Sequence, residues 1–556
     1  MAIYLNNLSV HIHFNGSLID SIQVRAYLES SAPKTSIHPW SLGRFVRGVQ
    51  VLVSVEVNAM KRIWSRRGTV FLLLFVTLSA AAMVVIPNMK HFKDKTGAVA
   101  SFNTAGDIRE DNAFFQSLGT NGRACATCHQ ADQSFSISGE GVRELYERTN
   151  GKDPLFAAFD GANCPTDQPL APEAHSLLLE RGLIRIGVTL PSNPQFQVVV
   201  LHDPYGCAIA TDPENGRPLV SVYRRPLPTA NLRYLSAIMF DGRETLKPLN
   251  GASTLADNMN FDLTDQATTA VLTHAQGQTP TAAQLAEIVK FEMGLTTAQA
   301  RDDEAGSLRA RGATGGPLEL ANQPYYPGVN DALGGDPTGA KFNSNAFSLY
   351  TAWEKPTANG NKYDGRDRWE DKEKNEAREE IAAGEALFNT SPAIITGVRG
   401  LNDNATLGSP ASITGTCTTC HDTPNVGNHS VALPLDIATS RQAGYESDNA
   451  IVSALHELSA PDLPIFEIRG CPDAANPGKT INFYTSDPGK GLVSGLCADV
   501  NRGKGPILRG LAARAPYFHN GAAANLEELV NFYNQRFQMN FTLKEKRQLI
   551  AFLNSL

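Results

Sequence analysis

Two copies of a short cysteine–histidine motif carry the residues of this chain best suited to chemistry. The pattern C-x-x-C-H is formed twice, by Cys125, Cys128 and His129 and by Cys417, Cys420 and His421. Since 8 cysteines and 12 histidines occur in 556 residues, chance would give only about 0.0025 matches. The cysteines can form thioether bonds to a haem, and the histidine can ligate its iron. The motifs therefore predict two covalently bound c-type haems.

A zinc site and a thiol redox pair are the alternatives for each motif. A structural zinc site needs a second pair of ligands closer by, and a redox C-x-x-C does not need the histidine. Haem attachment therefore remains the preferred interpretation of both motifs.

The composition is that of a globular protein with a substantial core. Apolar residues make up 42% of the chain and charged residues 19%, and the length allows two or three domains. The net charge of −7 gives no reason to expect a nucleic-acid partner.

An uncharged apolar stretch runs from Thr69 to Pro87 and follows a basic segment. Its length is about that of a bilayer core, so residues 60–90 are expected to form a membrane anchor, with a cleaved signal peptide as the alternative. Both readings export the rest of the chain to the periplasm, where an anchor would hold it at the inner membrane. Residues 1–59 are interpreted as a misassigned start before Met60 or as a cytoplasmic tail.

Four cysteines lie outside the motifs, and an exported protein can pair them in two disulfides. The preferred pairing is Cys164–Cys207 and Cys471–Cys497, because each bond then stays within one haem's half of the chain. The other two pairings remain open.

The fold expected from these patterns is mainly α, with two c-type cytochrome-like haem domains, loop-rich insertions and one N-terminal membrane segment. The domains are placed at residues 100–300, with an insertion at 131–235, and at 371–556, with connecting loops at 301–370. Capping patterns predict three helix starts, at Thr281, Asn525 and Thr542.

Longer stretches of sequence resemble a known family. Residues 504–510 (KGPILRG), 515–521 (APYFHNG) and 240–243 (FDGR) are similar to motifs of bacterial di-haem cytochrome c peroxidases and MauG-like proteins, and the resemblance covers about residues 105–556. It implies that the N-terminal haem reduces hydrogen peroxide and that the C-terminal haem passes on electrons from a small redox protein or another donor. Monomers or homodimers are expected.

The same resemblance suggests a ligand for the second haem iron. In the peroxidases a methionine occupies the position of Tyr533, and in MauG-like proteins a tyrosine does. Tyr533 also continues the apolar helix face of Leu526, Leu529 and Val530. A tyrosine ligand would favour ferric iron; a core tyrosine and ligation by Met539 are the alternatives.

The first haem site departs from the family pattern. Phe240 replaces the usual tryptophan between the haems. By resemblance Gln266 matches a conserved glutamine, but the family's acid–base glutamate is replaced by Gln276. His274 is therefore predicted to move protons or to ligate the iron, with a surface histidine as the alternative, and Glu292 is a further acid–base candidate.

Other residues are assigned to the haem surroundings by resemblance. Arg243 and Arg509 are expected to pair with haem propionates or between domains, and His519 is expected near the second haem without ligating it. The carbonyls of Arg514 and Pro516 are candidate ligands of one calcium ion. A non-enzymatic di-haem electron carrier and an oxygen-dependent oxygenase are the alternative functions.

Overall fold

The computed structural model describes residues 2–5, 8–13, 23–28, 84–167, 171–245, 255–354, 369–458, 460–473 and 476–556. Two compact units are present, Met1–Ala80 and Ala81–Leu556. The described part of the first unit is an antiparallel sheet of three strands in the order β1 (Ala2–Leu5), β2 (Leu8–His13) and β3 (Gln23–Leu28).

The second unit contains all the helices that are described. They are α1 Cys125–Cys128, α2 Gly139–Thr149, α3 Ala158–Gly161, α4 Ser176–Arg181, α5 Leu255–Thr273, α6 Ala282–Gly294, α7 Pro317–Ala321, α8 Trp369–Thr390, α9 Asn449–Leu455, α10 Gly491–Ser494, α11 Leu526–Arg536 and α12 Leu543–Asn554. The three predicted helix starts are confirmed, because Thr281, Asn525 and Thr542 cap α6, α11 and α12 with side-chain hydrogen bonds.

The second unit also contains many short strands. They are β4 Val85–Ile86, β5 His91–Lys93, β6 Gly97–Asn103, β7 Ile108–Arg109, β8 Ile184–Thr189, β9 Gln197–His202, β10 Ile209–Thr211, β11 Pro218–Arg224, β12 Leu295–Asp302, β13 Gly306–Ser307, β14 Ala393–Ile395, β15 Ile413–Gly415, β16 Ile465–Pro472 and β17 Thr480–Thr485. They form small sheets, in the orders β13-β12-β6-β5, β10-β11-β8, β17-β16-β9, β14-β15 and β4-β7.

The prediction of a mainly helical protein is wrong, because helix accounts for 33% and strand for 18% of the structure. The sheets join segments that are far apart in the chain: β9 pairs with β16, and β6 pairs with β12. The local spacing of apolar residues predicts helices well. It does not predict which strands pair when they are separated by about 200 residues or more.

The predicted membrane segment is not supported either. Most of Thr69 to Pro87 lies outside the described residues, and its end forms β4, which pairs with β7. Within the described ranges, no helix is both long and apolar enough to cross a bilayer.

The preferred cysteine pairing is confirmed. Disulfides join Cys164 to Cys207 and Cys471 to Cys497. The second bond belongs to an apolar cluster that also contains Val188, Val220 and Phe466. The cluster therefore packs residues of the predicted insertion against residues of the C-terminal half.

Helices α8 and α12 form the centre of the largest apolar cluster, with Phe388 and Phe552 in contact. Gly384 lets the two helices approach closely, because a Cβ there would lie 2.0 Å from the carbonyl oxygen of Gln548. This helix pair borders the second C-x-x-C-H motif, since the ring of Phe388 lies 5.9 Å from that of His421.

Candidate functional site

Each C-x-x-C-H motif lines a large, mostly apolar cavity. The first cavity contains the predicted residues Cys125, Cys128, His129, Arg243, Gln266, His274 and Glu292. The second contains Cys417, Cys420, His421, His519, Tyr533 and Met539. Only Arg509 among the predicted site residues lines neither of these cavities.

The two motifs have the same local geometry. His129 Nδ1 lies 3.1 Å from the carbonyl oxygen of Phe135, and His421 Nδ1 lies 2.6 Å from that of Gly427. In both motifs the carbonyl comes six residues after the histidine. A proton on Nδ1 satisfies the carbonyl and leaves Nε2 free as a metal ligand.

A threonine stabilises the start of each motif. Thr127 Oγ1 accepts a hydrogen bond of 3.0 Å from the amide of Ala124, and Thr419 Oγ1 accepts one of 2.9 Å from the amide of Thr416. The side chain at the third position of each pentapeptide therefore fixes the turn that presents both cysteines.

Burial sets the protonation states of the motif residues. It lowers the pKa of His129 to about 4 and also lowers the pKa of His421, so both imidazoles are neutral, as an iron ligand must be. Burial raises the pKa of Cys125 to about 12 and that of Cys128 to about 11. Both thiols are therefore protonated at neutral pH when nothing is bound to them.

An unpaired carboxyl group lines the first cavity. Glu292 lies near the end of α6 and is only 3% exposed, and its Oε2 has no hydrogen-bond partner among the described residues. Burial raises the pKa of Glu292 to about 8. At neutral pH this side chain is therefore a carboxylic acid that can donate a proton.

The imidazole of His274 is bonded to a carboxylate that could not be identified from the sequence. Its Nδ1 lies 2.5 Å from Oδ2 of Asp160, which is buried and also pairs with Arg123. Burial alone would raise the pKa of Asp160, but the bonds and charges of His274 and Arg123 lower it. Asp160 lies 114 residues before His274, in a segment without a recognisable motif.

Tyr533 and Met539 both line the second cavity, so the structure brings the two predicted ligands together. Tyr533 lies on α11, with its ring centroid 5.8 Å from that of Phe537. Burial, and then the nearby Cys420 and Cys417, raise the pKa of its hydroxyl. That hydroxyl has no hydrogen bond to any described residue, which suits a side chain that would bind a metal ion.

His519 occupies the wall of the second cavity and stacks on Phe240. Their ring centroids are 4.2 Å apart, with an interplanar angle of 9°. His519 Nε2 lies 3.2 Å from Ser440 Oγ, and burial lowers the pKa of His519 to about 4. The imidazole is therefore neutral and held by these contacts, and its role as a non-ligand residue stays a prediction.

The two cavities share one wall. Eight residues line both of them: Arg225, Pro226, Leu227, Pro228, Phe240, Lys504, Pro506 and Arg514. Phe240, which stacks on His519, is therefore part of the wall between the cavities.

Three cations belong to this wall, of which Arg225 is buried and Lys504 and Arg514 are half-buried. Burial and the charge of Arg514 lower the pKa of Arg225 to about 9 and that of Lys504 to about 8, and burial lowers the pKa of Arg514 to about 10. Within the described part of the chain, none of the three forms a salt bridge with a carboxylate. Cations of this kind need an anion, and the propionates of two haems would supply it.

The arginines predicted from sequence are placed differently. Arg243 lines the first cavity but is already bound to Asp241 at 2.8 Å. Arg509 is fully buried outside both cavities and donates to the carbonyl of Asn425. The lysine and arginine residues that cluster in segment 504–514, which resembles the di-haem peroxidases, could have indicated the shared cationic wall from the sequence.

The surroundings of the predicted calcium ligands do not fit a calcium ion. The carbonyl oxygen of Arg514 accepts a hydrogen bond of 2.7 Å from the guanidinium of Arg225. A divalent cation on this carbonyl would lie beside a buried positive charge, which is unfavourable.

The apolar cavities, the paired motifs and the shared cationic wall together fit a site for two neighbouring c-type haems. In sequence, the chain is 28% identical over 152 residues to the cytochrome-c peroxidase IdrP2 of Denitromonas iodatirespirans. The match covers 26% of this chain and 36% of that protein, so the chain spans about a third of that relative's length. No family model matches the chain, and no solved structure matches it. The similarity supports a relationship to peroxidases in general and does not reach the MauG-like subtype.

Proposed function

We propose that this protein is a periplasmic di-haem oxidoreductase that reduces hydrogen peroxide in the first cavity with electrons passed on from the second. The observation that carries the proposal is the pair of C-x-x-C-H cavities with a common wall. The similarity to a cytochrome-c peroxidase supports peroxide as the substrate. The two disulfides support a compartment outside the cytoplasm.

The chain would hold each haem through four kinds of contact. The motif cysteines would form the thioethers, Nε2 of His129 and His421 would ligate the irons, the apolar walls would enclose the rings, and the shared cations would bind the propionates. Haem iron at these positions would supply the electron-transfer and peroxide chemistry.

The residues of the first cavity supply the protons. Reduction of one hydrogen peroxide to two waters consumes two electrons and two protons, and a proton must move from one peroxide oxygen to the other. We assign the acceptor role to Nε2 of His274, which Asp160 orients through Nδ1. The protonated carboxyl of Glu292 is the donor, and the amide of Gln266 hydrogen-bonds the substrate.

A proton acceptor and a proton donor in one cavity must have different protonation states. Glu292 is protonated at neutral pH because of its burial. His274 retains access to solvent, since its side chain is 36% exposed. We therefore assign His274 as a route by which protons enter the cavity from solvent.

Electrons cross the shared wall without an oxidisable side chain at position 240. Phe240 cannot be oxidised as a tryptophan can, so we assign direct tunnelling over the short distance between the cavities. Tyr533 is the proposed ligand of the second iron and makes this site MauG-like, because an oxygen ligand favours ferric iron.

Peroxide titration of the purified ferric protein tests the proposal. Covalent haem is first counted by mass and by the pyridine haemochrome spectrum, with two haems per chain expected. Added peroxide should then change the haem spectrum rapidly, and a reduced donor should be consumed at two electrons per peroxide. Two low-spin irons that do not react with peroxide would indicate that the protein is a non-enzymatic electron carrier instead. Oxygen uptake with an organic substrate and no peroxide would indicate the oxygenase.

A further inference from the structure

A compact group of potential metal ligands lies beside the second motif and has no assigned role in the proposed reaction, although one of its members, His429, also lines the second cavity. Asp331 belongs to the loop after α7, Asp422 directly follows His421, and His429 follows seven residues later. One ligand atom from each side chain lies within 4.8 Å of the others.

The group holds more buried negative charge than its surroundings neutralise. Asp331 is 3% exposed, and the side chain of Asp422 is fully buried. Among the residues that the structure describes, no lysine or arginine forms an ion pair with either carboxylate. Burying carboxylates without a cation is costly, so buried acidic groups are normally paired or bound to a metal.

Backbone amides hold the carboxylate oxygens in place. Asp331 Oδ2 accepts from the amide of Gly335 at 2.6 Å, and Asp422 Oδ1 accepts from the amide of Ser430 at 2.6 Å. A Cβ at Gly335 would lie 2.4 Å from Asp331 Oδ2, so glycine is needed for this approach. Neutral amides orient the oxygens but leave their charges in place.

His429 is the independent sign that something binds here. Its side chain is 3% exposed, yet neither ring nitrogen has a hydrogen-bond partner among the described residues. Nδ1 lies 2.9 Å from Asp422 Oδ2, but the contact lacks hydrogen-bond geometry. A buried imidazole with two unused nitrogens is rare, and one nitrogen of this imidazole lies within 4.8 Å of an oxygen of each carboxylate.

We propose that Asp331, Asp422 and His429 bind a divalent first-row metal ion that is separate from the haem irons. One imidazole nitrogen and two carboxylate oxygens form a ligand set that suits Zn²⁺ or Mn²⁺. The ion neutralises both carboxylates and fastens the loop around Asp331 to the segment that carries His421. Water completes the coordination.

Metal analysis of the tag-free holoprotein tests the site. Total iron, zinc and manganese are measured by mass spectrometry and compared with covalent haem counted from the haemochrome spectrum. We expect about one zinc or manganese ion per chain in addition to the haem iron. Where the ion is lost during purification, added Zn²⁺ should bind to about one site per chain in equilibrium dialysis and raise the melting temperature.

Two variants locate the ion, and a third is their control. Asp331→Asn and His429→Gln should each abolish binding of the additional zinc or manganese ion, while covalent haem stays at the wild-type level. His456→Gln changes an exposed histidine and should keep the ion. Retention of the ion by both ligand variants would overturn the site.

A wild-type protein that binds no zinc or manganese, as purified or after addition, would also overturn it, even if the variants fail to fold. The result of the metal test can be distinguished from a failure of the proposed function, because haem content and peroxide reduction are measured independently of the additional metal.

Discussion

The two cavities differ on the side that the C-x-x-C-H motif does not form. The motifs share a histidine bonded to a carbonyl six residues later and a threonine cap. Beyond the motifs, the first cavity has an acid and a histidine that pairs with a carboxylate, whereas no aspartate or glutamate of the described residues lines the second. On the proposed function, the motif is where each haem would attach, and the other lining residues would determine the chemistry of each cavity.

Replacement of the motif histidines should reveal the largest functional difference between the two cavities. His129→Gly is expected to lower the rate of peroxide reduction by at least about 100-fold, because the iron at the reacting site loses its ligand. His421→Gly should leave the first spectral change with peroxide intact and slow the delivery of electrons. Stopped-flow spectroscopy at both haems measures this, and equal effects of the two changes would contradict the assignment of roles.

Removal of the acid should affect only the first cavity. Glu292→Gln is expected to slow peroxide reduction by about 10²- to 10⁴-fold, while Glu287→Gln, on the exposed face of the same helix, should not.

The pH dependence gives the sign of the Glu292 effect. The acid must be protonated to donate, so the wild-type rate should fall as the pH rises through about 8, and this fall should be absent in Glu292→Gln. A rate that increases through this pH range would assign Glu292 as a base instead.

The positioning role of Asp160 should have a smaller effect. Asp160→Asn leaves a hydrogen-bonding side chain but no charge, so His274 can take the wrong tautomer. We expect about a tenfold loss of peroxide reduction and a changed pH–rate profile on the side controlled by His274. Asp153→Asn, a cap in the same region, is the control, and a profile that matches the wild type would show that Asp160 is merely structural.

The smallest expected change concerns the second cavity alone. Tyr533→Met should raise the reduction potential of the second haem by about 0.1 V or more, because a thioether favours ferrous iron. Met539→Leu should leave this potential unchanged. Spectroelectrochemical titration compares the two, and the opposite ranking would make Met539 the ligand.

The sequence revealed the parts of the site that depend on short-range patterns. The motif residues, the capped helices α6, α11 and α12 and the cysteine pairs could be predicted from spacing and chemistry. The resemblance placed Gln266, His274 and Tyr533 at cavity positions. Apart from the cysteine pairs, which were chosen because each stays within one half of the chain, these features depend on neighbours within a helix turn or on a recurring motif.

The features that the sequence did not reveal depend on contacts between distant segments. Asp160, in α3, meets His274, the residue that follows α5, only through the tertiary fold. Arg225 and Lys504 become one cationic wall although 279 positions separate them. The sheets were missed for the same reason, since β9 finds its partner β16 in the other half of the chain.

That pairing of β9 with β16 joins the two halves of the chain in one sheet. The backbone of β16 is completed on one side by a strand from the N-terminal half and on the other by β17. A fragment that begins after residue 370 would expose an open strand edge and invite aggregation. Neither half should therefore mature alone, and a truncated gene product would be a substrate for proteases rather than a one-haem protein.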